Sequence, residues 1–282
     1  MERYDLRHYP FARTVCSAVY LCVDKLTGKQ LAAKVLSGRS PNDRRVRRLL
    51  HGLQMVSRAG PHPNLISVHG VYNVDEKIYI FMDYARGGNL LGYIKQRGPI
   101  PERIVVCLTR QLLDGLTHLH SRGIMHRDIK AENILILEPA EKGKPPTRVC
   151  ICDYGFTTSS NPTNDCVGSP EYCAPEIALI GVTQDVAGDE GDHWYGEKCD
   201  IWSLGVTVYA MLSGMLPFTG DTPTHVFKSI LQGRVPFSAP SWRAVSEEGK
   251  QFVLYLMTFD ASSRPSAREA LAHPWLVAQE KA

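Results

Sequence analysis

The sequence predicts an α+β fold of two lobes, a small β-rich lobe with one main helix followed by a larger, mostly α-helical lobe. Over about the first 84 residues, short runs of branched and aromatic residues alternate with turn residues, which is typical of strands. Beyond Gly87 and Gly88, apolar residues recur every three or four positions, which is typical of helices. A chain of 282 residues is long enough for two lobes that share a cleft.

Three strands of the small lobe are predicted, at residues 18–23, 30–36 and 77–83. They are bounded by turn residues such as those of Lys25-Leu26-Thr27-Gly28. The main helix of this lobe carries four arginines, Arg44, Arg45, Arg47 and Arg48. Such a run most often marks the solvated face of a helix, and a basic docking patch or a nuclear signal is the alternative.

Two patterns predict the helices of the larger lobe. One helix carries a single apolar stripe, formed by Ile104, Leu108, Leu112, Leu116 and Leu119. Residues 201–218 form the most apolar stretch of the chain and leave almost no polar face, which predicts a helix that is buried all round. Because Asp200 precedes this stretch and hydroxyl residues interrupt it, we interpret it as a core helix and expect no membrane span.

Composition argues against several classes of protein. A formal net charge of +3 and a charged fraction of 22% do not indicate a nucleic-acid-binding protein. The first residues lack the apolar core of a signal peptide. The cysteines include one C-x-C, formed by Cys150 and Cys152, and no second pair at zinc-ligand spacing. We therefore expect reduced thiols and an intracellular protein, in the cytoplasm, the nucleus or both.

Three motifs follow one another in the middle of the chain. They are His126-Arg127-Asp128-Ile129-Lys130-Ala131-Glu132-Asn133, then Asp153-Tyr154-Gly155, and then Ala174-Pro175-Glu176. A lysine on a predicted strand, Lys34, lies upstream of them. In this order and at this spacing, the four features closely resemble the eukaryotic protein kinase family. The turn before Lys29 and the segment that ends at Trp275 resemble its calcium/calmodulin-dependent branch.

This resemblance covers residues 4–275 and implies one kinase domain over residues 1–282. Its N-lobe would extend to about residue 84, its hinge would cover about residues 83–88, and its C-lobe would cover about residues 89–282. The resemblance also implies a protein substrate and the cofactors ATP and Mg2+. Glu176 and Arg264 occupy the positions of a buried structural ion pair.

The resemblance assigns catalytic roles to five residues. Asp128 would accept the proton of the attacking hydroxyl, and Asn133 and Asp153 would be the oxygen ligands of Mg2+. Lys130 would steady the γ-phosphate, as in serine/threonine kinases. Ser169 occupies the position of a hydroxyl that contacts both Asp128 and Lys130 in that class.

The same resemblance assigns the nucleotide site. Lys34 would bind the α- and β-phosphates of ATP, and the backbone of Asp83 and Ala85 would bond the adenine edge. The apolar residues around the adenine would be Val19, Ala32, Leu135 and the gatekeeper Met82.

Two departures from the family pattern concern the nucleotide. The glycines of the phosphate-covering loop are replaced by Ala12, Thr14 and Ser17, although glycine allows the closest approach to phosphate. The glutamate that pairs with the lysine should lie ten or eleven residues before His62, where the chain has Gly52 and His51. No acidic residue lies between Asp43 and Asp75, so the ion pair is absent unless Asp43 or another carboxylate substitutes. Loss of one such support typically costs on the order of a hundred- to a thousandfold in rate.

The segment between Gly155 and Glu176 carries Asp165 where many relatives carry an activating phosphothreonine. Its carboxylate could pair with Arg127, and with an arginine of the main helix, without phosphorylation. Two stretches look inserted, residues 138–147 in a hairpin and residues 181–193 as a loop. The acidic residues from Asp185 to Asp192 would recruit a basic partner or substrate, or would simply belong to a solvated insertion.

These observations predict a serine/threonine protein kinase with unusual or weakened nucleotide handling. The alternative is a pseudokinase, which would use the same fold as a scaffold or an allosteric binding partner. A small-molecule kinase is disfavoured, because Lys130, Ser169 and Ala174-Pro175-Glu176 belong to relatives that phosphorylate peptides.

Overall fold

The computed structural model describes residues 2–13, 17–36, 43–139, 146–187 and 193–277. Its N-lobe is built on five antiparallel strands in the spatial order β1-β2-β3-β5-β4. The strands are β1 (Tyr4–Arg13), β2 (Ser17–Asp24), β3 (Gln30–Leu36), β4 (Val68–Val74) and β5 (Lys77–Asp83). The three predicted strands are β2, β3 and β5, and all three are confirmed.

The two strands without a prediction, β1 and β4, lie at the two edges of the sheet. Most of their side chains are exposed or only half-buried, so neither strand has the strong apolar pattern of a central strand. Pro10 lies at a shift of register in β1. Proline has no amide donor, and an edge strand with an irregular register tolerates this loss better than a central strand does.

The main helix of the N-lobe is α1 (Arg44–Ala59). It begins after Asp43, whose carboxylate accepts hydrogen bonds from the amide groups of Arg45 and Val46. It ends at Gly60, which has a φ of 86°. Val46, Leu49 and Leu53 form part of its buried face, so α1 contributes its apolar stripe to the core beside the cleft.

The C-lobe is mostly helical. Its helices are α2 (Leu90–Arg97), α3 (Glu102–His120), α4 (Pro175–Ala187), α5 (Lys198–Ser213), α6 (Pro223–Leu231), α7 (Glu247–Leu256), α8 (Ala267–Leu271) and α9 (Pro274–Val277). Two short ladders lie next to the cleft, one between β6 (Ile124–Met125) and β9 (Thr158–Ser159) and one between β7 (Ile134–Ile136) and β8 (Val149–Ile151). Every residue of α5 from Cys199 to Ser213 is buried, as predicted from its sequence. The prediction that the buried helix extends to residue 218 is wrong, because the helix ends at Ser213, before Gly214, which has a φ of 76°, and Met215 is exposed.

The hinge between the lobes is fixed to β7. The amide group of Gly87 donates to the carbonyl of Ile136 at 3.0 Å, and the amide group of Ile136 donates to the carbonyl of Gly88 at 2.8 Å. A Cβ atom on Gly87 would lie 2.5 Å from a methyl carbon of Ile136, so this close approach requires glycine. The β7–β8 hairpin, which carries Leu135, is thereby held beneath the sheet of the N-lobe.

An ion pair holds α4 in the C-lobe. Arg264, whose side chain is fully buried, donates to both carboxylate oxygens of Glu176 at 2.8 and 2.9 Å. The guanidinium group also lies over the ring of Trp202, 5.3 Å from its centroid. The predicted structural ion pair is therefore confirmed.

The prediction of a loop at residues 181–193 is wrong for residues 181–187, which continue α4. Glycine is a poor helix former, but Gly181 lies so close to Phe227 of α6 that a Cβ atom there would be 2.4 Å from the ring. The hydroxyl of Thr183 donates to the carbonyl of Leu179, within the same helix. Residues 188–192 lie outside the described residues, as do residues 140–145 of the other predicted insertion.

Among the described residues, no helix has both the length and the apolar character needed to cross a bilayer.

Candidate active site

The segment between β6 and β7 is held in place by a buried carboxylate. Asp200 of α5 accepts hydrogen bonds from the amide groups of His126 and Arg127, both at 2.8 Å, and from Nε2 of His120 at 2.9 Å. Burial alone would raise the pKa of Asp200, but the hydrogen bond and charge of His120 outweigh it, and the pKa is lowered. Arg127 has a φ of 67°, an unfavourable conformation that these bonds help to hold.

Both oxygens of the Asp128 carboxylate are held by neighbouring side chains. The hydroxyl of Ser169 donates to Oδ1 at 3.0 Å, and Nδ2 of Asn133 donates to Oδ2 at 2.8 Å. Nζ of Lys130 lies 2.9 Å from Oδ2 and donates to the Ser169 hydroxyl at 2.7 Å. The structure thus brings together four side chains that the sequence predicted to act together.

Asn133 and Asp153 present oxygen atoms suited to a metal ion. Because both hydrogen bonds from Nδ2 of Asn133 go to Asp128, its Oδ1 atom remains as an oxygen ligand. Burial alone would raise the pKa of Asp153, but the charge of Lys34 and its hydrogen bond outweigh it and lower the pKa. An ionised carboxylate and an amide oxygen that line one cleft fit Mg2+, which is usually held by few protein ligands together with phosphate oxygens.

A mostly apolar cavity of about 560 Å³ lies between the lobes and has the size of a small-molecule site. The predicted adenine neighbours all line it, namely Val19, Ala32, Met82 and Leu135. Asp83 and Ala85 of the hinge line it as well, and the amide group of Ala85 makes no hydrogen bond within the described residues. An unpaired donor at the edge of an apolar slot fits the polar edge of a purine.

Comparison with known proteins gives the same assignment as this geometry. The sequence model of the protein kinase domain matches residues 14–276. The chain belongs to the protein kinase family.

Its relatives include kinases of plants and animals. The chain is 34% identical to calcium-dependent protein kinase 1 of Arabidopsis thaliana, over 91% of this chain and 40% of that protein. It is 35% identical to serine/threonine-protein kinase H1 of Homo sapiens, over 79% of this chain and 50% of that protein. The kinase domain described here therefore spans half or less of the length of these relatives.

Lys34, the predicted phosphate-binding lysine, is paired with a carboxylate that the sequence did not indicate. Nζ of Lys34 lies 2.9 Å from Oδ2 of Asp153, the predicted metal ligand. Asp43, the substitute considered from the sequence, instead caps the first turn of α1. Lys34 is thus held by the carboxylate that was predicted as a metal ligand, and sequence reasoning did not anticipate this pairing.

Gly52, which stands where the family has its glutamate, allows α1 to lie directly against the Asp153-Tyr154-Gly155 motif. A Cβ atom on Gly52 would lie 2.1 Å from the carbonyl oxygen of Tyr154 and 3.1 Å from Cβ of Thr157. The Tyr154 hydroxyl is buried and donates to the carbonyl of Ile66 at 3.2 Å, which satisfies the extra polar group of this tyrosine. The space next to Gly52, where a glutamate side chain would begin, is therefore occupied by the backbone of the Asp153-Tyr154-Gly155 motif.

Several residues that line the nucleotide cleft were missed by sequence reasoning, among them Leu49, Leu53 and Phe11. Leu49 and Leu53 reach the cleft from α1, and their spacing of four within its apolar stripe was the available signal. Phe11 lies at the mouth of the cleft, with its ring edge-on to Tyr84 at a centroid distance of 5.4 Å. Ala12 and Ser17 also line the cleft, whereas Thr14 lies outside the described residues.

The activation segment is anchored by Arg127. Its guanidinium group donates to the carbonyl of Phe156 at 2.7 Å, to Oδ2 of Asp165 at 3.1 Å and to the Tyr195 hydroxyl at 3.2 Å. That hydroxyl in turn donates to the backbone carbonyl of Asp165 at 2.7 Å. The predicted Arg127–Asp165 pair is present, and within the described residues Asp165 makes no ion pair with an arginine of α1.

Proposed function

We propose that this kinase domain transfers the γ-phosphoryl group of ATP to serine and threonine hydroxyls of protein substrates, with weakened nucleotide handling. The observation that supports this most strongly is the network of Asp128, Lys130, Asn133 and Ser169. Each of these side chains has its polar atoms directed at another member of the network, as positioned groups of an active site require.

In the proposed reaction, Asp128 accepts the proton of the substrate hydroxyl while that oxygen forms a bond to phosphorus. Bound Mg2+–ATP supplies the phosphoryl group, and ADP leaves as the bond to its terminal oxygen breaks. Lys130 lies beside Asp128 and is placed to neutralise charge on the transferred group. Its bond to Ser169 keeps it at this position in the absence of substrate.

Nucleotide handling is the proposed weakness. Lys34 shares Asp153 with the metal site, and within the described residues it has no second carboxylate to orient it. When Lys34 leaves Asp153 to bind a phosphate of ATP, the nucleotide itself must orient the lysine. A missing support of this kind typically lowers the rate by about a hundred- to a thousandfold.

The second candidate function is that of a pseudokinase, favoured by the same Lys34–Asp153 contact. If this ion pair is too stable to yield to phosphate, the cleft would be closed to Mg2+–ATP, and the fold would act through its surfaces. The two candidates differ in one equilibrium property, which is nucleotide binding.

Thermal unfolding distinguishes these two candidate functions, because a ligand that binds only the folded protein raises the midpoint temperature of unfolding. We expect millimolar ATP with Mg2+ to raise the midpoint of the wild-type protein by a few degrees, and that of Lys34→Met by less, since the mutant lacks the phosphate ligand. Guanosine triphosphate at the same concentration controls for ionic strength. No shift with any metal would contradict the proposed kinase function and favour the pseudokinase.

A further inference from the structure

The carboxylate of Asp83 lies where the N-lobe meets the hinge, and two basic side chains contact it. Nζ of Lys29 donates to its Oδ1 atom at 2.7 Å, and Nε2 of His69 lies 2.8 Å from the same atom. We call Lys29, His69 and Asp83 the hinge triad. Lys29 directly precedes β3, His69 lies in β4, and Asp83 is the last residue of β5. The hinge triad therefore joins three segments of the sheet at the point where the chain leaves the N-lobe.

His69 lies at an irregularity of β4. The pair Val68–Met82 is followed by the pair Gly70–Phe81, so β4 has one residue more than β5 over this stretch. The extra residue is His69. A bulge of this kind changes the direction of a side chain, and bulges are frequent next to functional sites. The contact between His69 and the end of β5 thus depends on a local departure from regular pairing.

The charges of the hinge triad favour an ionised carboxylate. Burial alone would raise the pKa of Asp83, but the hydrogen bonds and charges of Lys29 and His69 outweigh it, and the pKa is lowered. The Asp83 side chain is 27% exposed and that of His69 is 31% exposed, so water screens their contact less than it screens a fully exposed pair. Lys29 is held from its own side as well, because its carbonyl accepts from the amide group of Asp24 at 3.0 Å.

The hinge triad holds a piece of backbone that lines the nucleotide cleft. Asp83 and Ala85 both line this cleft, and the amide group of Ala85 makes no hydrogen bond within the described residues. On the C-lobe side, the hinge is fixed to β7. On the N-lobe side, the amide group of Asp83 donates to the carbonyl of Ser67 at 3.1 Å, and its side chain is held by the hinge triad. The direction of the backbone groups between these two attachments depends on how rigidly the end of β5 is held.

We propose that the side chain of Asp83 is a positioning group for the adenine base, which it orients through the backbone of the hinge. This inference rests on the nucleotide binding proposed above and adds the residues that support the base. A base that is bound by one carbonyl and one amide group needs both within about 0.5 Å of their productive positions, and hydrogen-bonded supports provide this precision. The adenine end of the cleft is thus supported by a network, whereas at the phosphate end Lys34 is paired with Asp153.

Titration calorimetry with two probes, adenosine and ATP with Mg2+, tests this role. Asp83→Ala should weaken the binding of both probes about tenfold, because both carry the adenine base. Lys34→Met should weaken ATP and leave adenosine almost unchanged, because adenosine has no phosphate. Asp83→Asn keeps an oxygen acceptor for Lys29 and His69, so it should recover part of the affinity that Asp83→Ala loses.

Variants of the two basic residues show whether the hinge triad acts as a unit. Lys29→Ala combined with His69→Ala should weaken adenosine about as much as Asp83→Ala does. Adding both changes to Asp83→Ala should cause little further loss, because residues that share one interaction are not additive. Lys25→Ala is the matched control, since it removes an exposed lysine of the same turn outside the hinge triad, and it should leave adenosine affinity almost unchanged.

Hydrogen exchange of the protein without nucleotide gives a second measurement. The amide groups of Asp83 and Gly87 are hydrogen-bonded to backbone carbonyls, so their exchange reports local opening of the hinge. Asp83→Ala should speed this exchange several-fold and leave that of α5 unchanged. Where transfer is measurable, the same variant should raise KM for ATP about tenfold and change kcat less than about twofold, because it weakens a contact made equally in the ground and transition states.

Wild-type affinity for adenosine in Asp83→Ala, or an equal loss in Lys25→Ala, would overturn the proposal. Absence of adenosine binding to the wild-type protein, or unchanged exchange in the hinge of Asp83→Ala, would overturn it as well. Adenosine binding that depends on Asp83 in a protein without phosphoryl transfer would support the hinge triad and contradict only the kinase function. Transfer with an adenosine affinity that does not depend on Asp83 would contradict only the hinge triad.

Discussion

Lys34 and Asp153 lie 119 positions apart in the sequence, and they pair in a protein whose helix α1 offers no glutamate to Lys34. With Gly52 at the position of the family's glutamate, Lys34 takes the next carboxylate within reach. Motif and spacing could identify both residues, because each belongs to a pattern. They could not identify the pair, because a missing side chain does not show which group replaces it.

The contact between Gly52 and the Tyr154 carbonyl predicts that any larger residue at position 52 lowers the stability of the protein. Gly52→Ala should lower the free energy of unfolding by about 1–3 kcal/mol, because the new Cβ atom overlaps the backbone oxygen. The helix propensity of alanine, favourable by about 1 kcal/mol, opposes this effect and does not cancel it. Urea unfolding of Gly52→Ala is compared with that of His51→Ala, at the exposed neighbouring position.

Gly52→Glu tests the same contact with the family's own residue. We expect it to destabilise the protein and to leave transfer no faster, since α1 lies too close to Tyr154 to admit the side chain. A stable Gly52→Glu protein with faster transfer would show that α1 can retreat and that the site differs from its relatives in this side chain alone.

At the scale of elements, the activation segment is held by the Arg127–Asp165 pair without a phosphate. Asp165→Asn should lower the stability of this segment by about 1 kcal/mol, because Asp165 is 46% exposed and its ion pair is partly screened. Limited proteolysis between residues 157 and 168 measures this local effect. We expect faster cleavage there, with the midpoint of global unfolding almost unchanged.

The control for Asp165→Asn is Asp165→Thr, with and without phosphorylation by an upstream kinase. The threonine variant should be cleaved as fast as the asparagine variant, and phosphorylation should protect it, since a phosphate again pairs with Arg127. If all forms are cleaved at the wild-type rate, Asp165 does not hold the segment.

The elements of this kinase domain differ in how far their sequence specifies them. Helix α5 is buried on all sides, and the central strands β2, β3 and β5 are more buried than the edge strands, so their apolar patterns are strong enough to predict where they lie. The edge strands β1 and β4 have mixed patterns and become strands by pairing with β2 and β5. Helix α4 continues past Gly181 because of its contact with Phe227, which local propensity does not reveal.

At the scale of the whole molecule, Asp200 joins the buried α5 to the catalytic segment and makes stability depend on pH. Its pKa in the folded state lies below the ordinary value of 3.8, so its ionised form stabilises the fold at neutral pH. This contribution is present above that value and is lost as the pH falls through the lower folded-state pKa.

Asp200→Asn should therefore be less stable than wild type at about pH 7, and the difference should shrink as the pH falls below about 4. Urea unfolding across this range measures the difference. Glu247→Gln, which removes an exposed carboxylate paired with Lys250, is the control and should show little difference at neutral pH. A difference between Asp200→Asn and wild type that stays constant with pH would contradict the assigned ionisation.

We propose that this kinase domain transfers phosphate although Lys34 has no helix glutamate. The most direct test is transfer of labelled γ-phosphate to a generic basic protein and to the chain itself, beside an Asp128→Asn control. Removal of a general base typically costs about a hundred- to ten-thousandfold in rate. We predict slow transfer by the wild-type protein that disappears in the control. Transfer absent from both proteins, with Mg2+ or Mn2+ and at high ATP, would contradict the proposed kinase function and indicate a pseudokinase.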